Sequence, residues 1–103
     1  MPVAESVAKL STELDALDQE ARESSAAALE RLQARQAIER LQAARARDQQ
    51  AALEEAEILL KTAQYSVKAS QLKEQLVQLD RERDAIMVEA SRRDAALARK
   101  EAE

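Results

Sequence analysis

The residues best suited to chemistry in this sequence are closely spaced carboxylates. One group lies at residues 54–57 and another at residues 80–84. Paired carboxylates can serve as general acid and base, and helical bundles hold di-iron with inward Glu and Glu-x-x-His. The chain has no His, however, and these acids lie among Arg and Lys at helical spacing. We therefore interpret both groups as solvated charged faces and expect no catalytic residue, metal ion or cofactor.

The residue types that are absent exclude further chemistry. The sequence contains no Gly, Cys, His, Trp or Phe. Without His or Cys there can be no zinc finger, haem ligand, disulfide or Cys/His nucleophile, and without Gly no glycine-rich phosphate loop. We therefore predict that the protein is not an enzyme.

Five arginines between Arg31 and Arg47 form a basic block that could contact nucleic acid. On a helix, Arg31, Arg35 and Arg45 share one face, whereas Arg40 and Arg47 point to the opposite face. Such a split gives no continuous phosphate track, and the single aromatic residue of the chain offers little base stacking. We interpret the block as a charge band between helices and expect no nucleic-acid partner.

Tyr65 is the single aromatic residue. An isolated tyrosine could anchor a partner protein or accept a phosphate. We interpret Tyr65 instead as a half-buried bundle residue with its hydroxyl in water.

The apolar residues are too scattered for a membrane-spanning segment. No apolar run reaches five residues, whereas a transmembrane helix needs about 20 and a secretory signal about 7 to 15. We expect no membrane insertion and an intracellular, cytoplasmic protein.

The composition predicts that long helices carry these side chains. Ala, Glu, Gln, Arg and Leu dominate, and 35% of the 103 residues are charged, as in coiled coils. The apolar fraction is 46%, but 23 alanines make up nearly half of it, so the core must be thin. We expect an all-α protein, an elongated antiparallel helical hairpin or coiled coil that assembles into a helical bundle.

The first segment has the pattern of an amphipathic helix that begins at Pro2, because proline suits the first helical turn. Its apolar residues, which include Leu10, Leu14 and Leu17, recur at steps of three and four, as in a coiled-coil seam. Beyond Ser24 the pattern weakens into an Ala-rich stretch. That stretch either packs closely against another helix or is solvated.

The middle of the chain is where we predict a hairpin turn, because Asp48 could cap a second helix there. We predict helix 1 over about 2–46, a turn at 47–50 and helix 2 over about 50–101, within a single coiled-coil domain of residues 1–103. The chain has no Gly or Asn, the residues that usually end helices. The alternative is therefore one continuous helix of about 100 residues in an antiparallel coiled coil.

The second half of the chain carries a broader apolar stripe. Adjacent apolar residues spread around the helix and need neighbours on two sides, as in a bundle. A strict heptad pattern would place Arg83 and Arg93 in the core, which argues against a simple parallel dimer. The residues that we predict at protein interfaces are Leu10, Leu14, Leu17, Leu60, Leu72, Leu76, Leu79 and Ile86.

The net charge of −4 is distributed in blocks of alternating sign. Residues 1–30 sum to −5, residues 31–47 to +4, residues 48–60 to −4 and residues 61–79 to +2. Like blocks would repel in a parallel, in-register pair, so the pattern favours antiparallel contacts. Folding back near Asp48 would set the basic block beside the acids at residues 54–57.

Together these patterns predict a non-enzymatic structural or adaptor subunit that mediates protein–protein interaction and oligomeric assembly. Its partner would be a second copy of the chain or another helical protein. The alternative is a partner-dependent helical module or chaperone within a secretion, flagellar, phage or cytoskeletal assembly. A nucleic-acid-associated helix is the third hypothesis.

Overall fold

A computed structural model describes residues 3–102, which form three α-helices and one short 3₁₀ turn without any strand. Helix α1 spans Val3–Glu20, α2 spans Ala28–Ala43 and α3 spans Gln49–Ala102. The 3₁₀ turn, Ala46–Asp48, directly precedes α3. The prediction of an all-α protein is confirmed.

Three residues, Met1, Pro2 and Glu103, lie outside the described part of the chain. The predicted helix start at Pro2 therefore falls outside it as well. No helix within residues 3–102 combines the length and the apolar character needed to cross a membrane.

The predicted turn near Asp48 is present. Helix α2 ends at Ala43, Ala44 adopts an extended conformation, and α3 begins at Gln49. The second helix, predicted over about 50–101, matches α3 closely. The alternative of one continuous helix is wrong, because residues 44–48 interrupt it.

The prediction of an unbroken first helix over about 2–46 is also wrong. The chain leaves the helix after Glu20 and returns to it at Ala28. Ala27 lies in the left-handed region, with φ 53° and ψ 31°, which a helix interior cannot accommodate. The Ser24 Oγ accepts a hydrogen bond from the backbone N–H of Ala26 at 2.9 Å, a local bond that competes with helical ones.

The chain forms two units, residues 1–70 and residues 71–103. In the first unit α1, α2 and the beginning of α3 share one apolar core. Five of the twelve core residues are alanines, which let helix backbones approach closely. The Ala-rich stretch of α2 therefore packs against its neighbours. The core consists of Leu10, Leu14, Leu17, Ala21, Ala34, Ala37, Ile38, Leu41, Ala56, Leu60, Ala63 and Val67.

The second unit contains the remainder of α3. Each residue from 72 to 102 is exposed. Its helical conformation is thus supported by backbone hydrogen bonds and local side-chain pairs, without any buried apolar side chain of its own.

Candidate functional site

Arg31 lies in the first turn of α2 and donates hydrogen bonds to three acceptors across the preceding break. Its Nε donates to the carbonyl oxygen of Ala26 at 3.0 Å, its Nη2 to the carbonyl oxygen of Ser24 at 3.3 Å and its Nη1 to Asp18 Oδ1 at 3.1 Å. The side chain is only 15% exposed. This guanidinium therefore links α1, the break and the start of α2 through its hydrogen bonds.

Arg35 is one helical turn further along α2 and makes a second link to α1. Its Nη2 donates to Asp18 Oδ2 at 2.7 Å and to Asp15 Oδ1 at 2.9 Å. The hydrogen bonds accepted by Asp18 and then Asp15 raise the pKa of Arg35 above its ordinary value. Arg31 pairs with Asp18, and Arg35, which comes later on α2, also pairs with Asp15, which comes earlier on α1. The two helices are therefore antiparallel.

Three of the five arginines in the basic block make interhelical ion pairs, two of them with partners other than those predicted, whereas Arg47 contacts the adjacent Asp48. Arg40 pairs with Glu55 across α2 and α3 at 3.2 Å, as the charge blocks indicated. Arg31 and Arg35 pair with α1 instead of the acids at residues 54–57. The reason is the unpredicted break at 21–27, which folds α2 back along α1.

The two acidic groups do not form an enclosed site. The acids at residues 54–57 and at residues 80–84 are all exposed. Arg83 lies 3.6 Å from Asp80 and 3.3 Å from Asp84, so local cations accompany the second group. Within residues 3–102 no three acidic side chains come together in a way that could hold a metal ion.

A surface groove of about 430 Å³ lies between α1 and α3 in the first unit. Its floor includes the core residues Leu10 and Leu60, and its rim carries Lys9, Glu13 and Lys61. The rim is mixed in sign, and its apolar floor is already packed. The groove therefore follows from helix packing and offers no grouping of chemically reactive residues.

The structure divides the eight predicted interface residues into two sets. Leu10, Leu14, Leu17 and Leu60 lie in the core of the first unit, where they pack against helices of the same chain. They are consequently not accessible to a partner. The exposed set consists of Leu72, Leu76, Leu79 and Ile86.

The exposed set belongs to a longer pattern on α3, which we call the C-terminal stripe. Its residues follow one another at alternating steps of four and three, and every one of them is exposed. Arg83 and Arg93 interrupt the aliphatic residues, and each contacts an acid of its own helix. The C-terminal stripe consists of Leu72, Leu76, Leu79, Arg83, Ile86, Ala90, Arg93 and Leu97.

Tyr65 is 75% exposed. The prediction that it is half-buried is wrong, because the opposite side of α3, with Ala63 and Val67, faces the core. Ile58, seven residues earlier, is exposed too. The heptad spacing of the C-terminal stripe thus continues backwards in the sequence through two further exposed residues.

Sequence reasoning missed the roles of Arg31 and Ala27. From the sequence we predicted Arg31 to lie within a helix and interpreted it as one member of a charge band. The available signal was the pair Ser24 and Ser25, since serine favours turns through its own hydroxyl. That signal marks a break but does not identify the residue that closes it.

The surfaces of the described residues are therefore ion-paired helix contacts and one exposed heptad stripe. Both are suited to holding helices together, and neither places reactive groups around a cavity. Comparison with protein-family profiles, curated proteins and solved structures finds no match for this chain.

Proposed function

We propose that the protein is a non-enzymatic structural or adaptor subunit that assembles with helical partners through the C-terminal stripe. The observation that carries this proposal is an exposed heptad pattern. Residues 72–102 are all exposed, yet aliphatic side chains recur among them at the spacing by which helices pack into coiled coils. An intracellular, cytoplasmic setting is part of the same proposal.

Burial of the stripe would supply the driving force. Leu76 is 60% exposed and Ile86 69% exposed. Burying a fully exposed side chain of this type contributes about 1.5 to 3 kcal/mol. Five such residues on each of two helices contribute on the order of 10 kcal/mol, which offsets much of the entropic cost of association.

The two units support different parts of this role. The first unit has its own core and interhelical ion pairs, so it can fold without a partner. Most helical stability in proteins comes from the packing of an apolar face, and none of the side chains of residues 72–102 is buried. We therefore assign the first unit the role of a folded anchor and the C-terminal stripe the role of the docking surface.

The same exposure also favours a second candidate, a module whose last segment is ordered by a different helical protein. In that case the C-terminal stripe would be the surface that receives the partner helix. Neither candidate requires nucleic acid, because Arg31, Arg35 and Arg40 are engaged with acids of neighbouring helices.

The test is sedimentation of the purified full chain with paired substitutions. The double variant Leu76→Asp and Leu79→Asp places two charges in the stripe, and we expect it to abolish assembly. The matched control is Leu29→Asp with Leu32→Asp, because both residues are exposed on α2. The control should sediment like the unchanged protein. Equal effects of the two double variants would contradict the proposal.

A further inference from the structure

We propose that the occupant of the C-terminal stripe is the same stripe of a second copy, in antiparallel orientation. The inference rests on the proposed function, since it identifies the partner for that docking surface. Three features carry it: arginines in the seam, the order of charges beside the seam, and the exposure of all these residues.

The arginines of the seam exclude a parallel pair. In a parallel, in-register coiled coil, residues at the apolar a and d positions face their own counterparts. Arg83 at a and Arg93 at d would then face like charges within the seam, which is unfavourable. In an antiparallel pair an a residue faces a d residue, so neither arginine meets its own copy.

The residues beside the seam change sign along α3. Lys61 and Lys68 occupy the heptad position before a, and Glu82 and Glu89 occupy the same position three heptads later. On the other side, Lys73 is followed one heptad later by Asp80. All of them are exposed. The lysines come first and the acids follow, so one copy is complementary to a second copy that runs in the opposite direction.

One antiparallel register satisfies these charges together. When Leu76 of one copy faces Leu79 of the other, Lys68 lies beside Glu89 and Lys73 beside Asp80 of the second copy. Two-fold symmetry makes each contact occur twice. In the parallel orientation Lys68 would lie beside Lys73, which repels. The chain thus carries both halves of its own recognition pattern, which an unrelated partner would not require.

Charge exchange tests the orientation. In sedimentation equilibrium of the full chain, Lys68→Glu should weaken dimerisation about tenfold, and Glu89→Lys should do the same. The combined exchange should restore affinity to within about twofold. Arg92→Glu, the same charge change on the outer face of α3, should have little effect. A Lys68→Glu protein that dimerises more tightly would overturn the antiparallel pairing, because that change removes a repulsion specific to the parallel pair.

Disulfide trapping gives a second readout, because the chain has no Cys. Leu76→Cys lies near the centre of the region where the two copies overlap and should form a disulfide on oxidation. It is the positive control for cross-linking. Leu97→Cys lies far from the centre, and in the antiparallel pair its two copies are roughly 60 Å apart along the axis. Dimers of this variant without a disulfide support the proposal, whereas disulfide-linked Leu97→Cys dimers overturn it.

These outcomes separate the inference from the proposed function. Suppose that the two Asp substitutions dissociate the dimer and that the Leu97→Cys variant forms a disulfide between copies. The C-terminal stripe is then still the docking surface, but the antiparallel orientation is overturned. A full chain that remains monomeric at about 100 μM overturns the second copy as the occupant. A dimer unaffected by the two Asp substitutions overturns both the stripe and its occupant.

Discussion

Arg31 Nη1 donates to Asp18 Oδ1 at 3.1 Å, and so joins two residues of different helices that are 13 positions apart in the sequence. The same guanidinium also donates to the carbonyl oxygens of Ser24 and Ala26. A chain without Gly or Asn therefore closes a helix break with a side chain that satisfies free carbonyls. Arg31 should therefore contribute measurably to the stability of the first unit.

We predict that Arg31→Lys lowers the free energy of unfolding by about 1 to 2 kcal/mol, because an ammonium cannot reproduce the fork geometry of guanidinium. Arg22→Lys is the control, since Arg22 is exposed and donates to Gln19 at 3.5 Å. Urea unfolding followed by circular dichroism measures both, with Leu76→Asp and Leu79→Asp present so that association does not contribute. Equal losses would contradict the assigned role of Arg31.

We predict that the contribution of Arg35 does not change between pH 6 and pH 9. Its pKa is raised by hydrogen bonds to Asp18 and Asp15. A cation with a raised pKa contributes stability that is complete below its unfolded pKa and is lost as pH rises through its folded pKa. Both values lie above this range. Arg35→Gln should therefore cost up to about 1 kcal/mol at either pH, measured by urea unfolding, and a cost that falls with rising pH would disagree.

We predict that Ala27→Gly stabilises the first unit by about 1 kcal/mol. Ala27 has φ 53°, a conformation that is unfavourable for a residue with a Cβ atom and readily adopted by Gly. Ala26→Gly is the matched control, since Ala26 has no such conformation and Gly there only adds unfolded-state entropy. Thermal unfolding should rank Ala27→Gly above the parent and Ala26→Gly at or below it. The opposite order would show that the backbone conformation at Ala27 is not strained.

The break at 21–27 marks the limit of what the sequence could predict about the fold. Helix type and the turn near Asp48 follow from composition and from the loss of large apolar residues. The earlier break depends on an alanine in an unusual conformation and on Arg31, whose partner Asp18 lies 13 residues away. Propensity and spacing describe neighbours in sequence, so they carried no signal for a contact that exists only after α2 folds back.

We predict that Leu41→Ala lowers the free energy of unfolding by about 3 kcal/mol, because a buried leucine leaves a cavity when truncated. Leu41 is completely buried in the core. Leu29→Ala is the control, because Leu29 lies on the same helix and is 63% exposed. It should change the free energy by less than about 0.5 kcal/mol in urea unfolding. Comparable losses would contradict the placement of α2 against the core.

The candidate interface shows a different limit of the sequence. Heptad spacing indicated which residues prefer burial, and it grouped Leu60 with Leu76 in one second-half stripe. Spacing does not indicate whether a residue is covered by its own chain or by another. The structure makes that distinction: Leu60 is 2% exposed within the first unit, whereas Leu76 is 60% exposed within the second.

We predict that amide hydrogen exchange in residues 72–102 depends on protein concentration. These residues bury no side chains, so without a second copy their helix should open with little free energy. Raising the concentration from about 1 to 100 μM should slow their exchange at least tenfold if association is micromolar. Amides of α2 near Ala37 and Leu41 belong to a core within one chain, and their exchange should not change.

In the Leu76→Asp and Leu79→Asp variant the concentration dependence of exchange in residues 72–102 should disappear. Protection of residues 72–102 that is already high at the lowest concentration would mean that local helix stability alone maintains this segment, which would contradict the docking role.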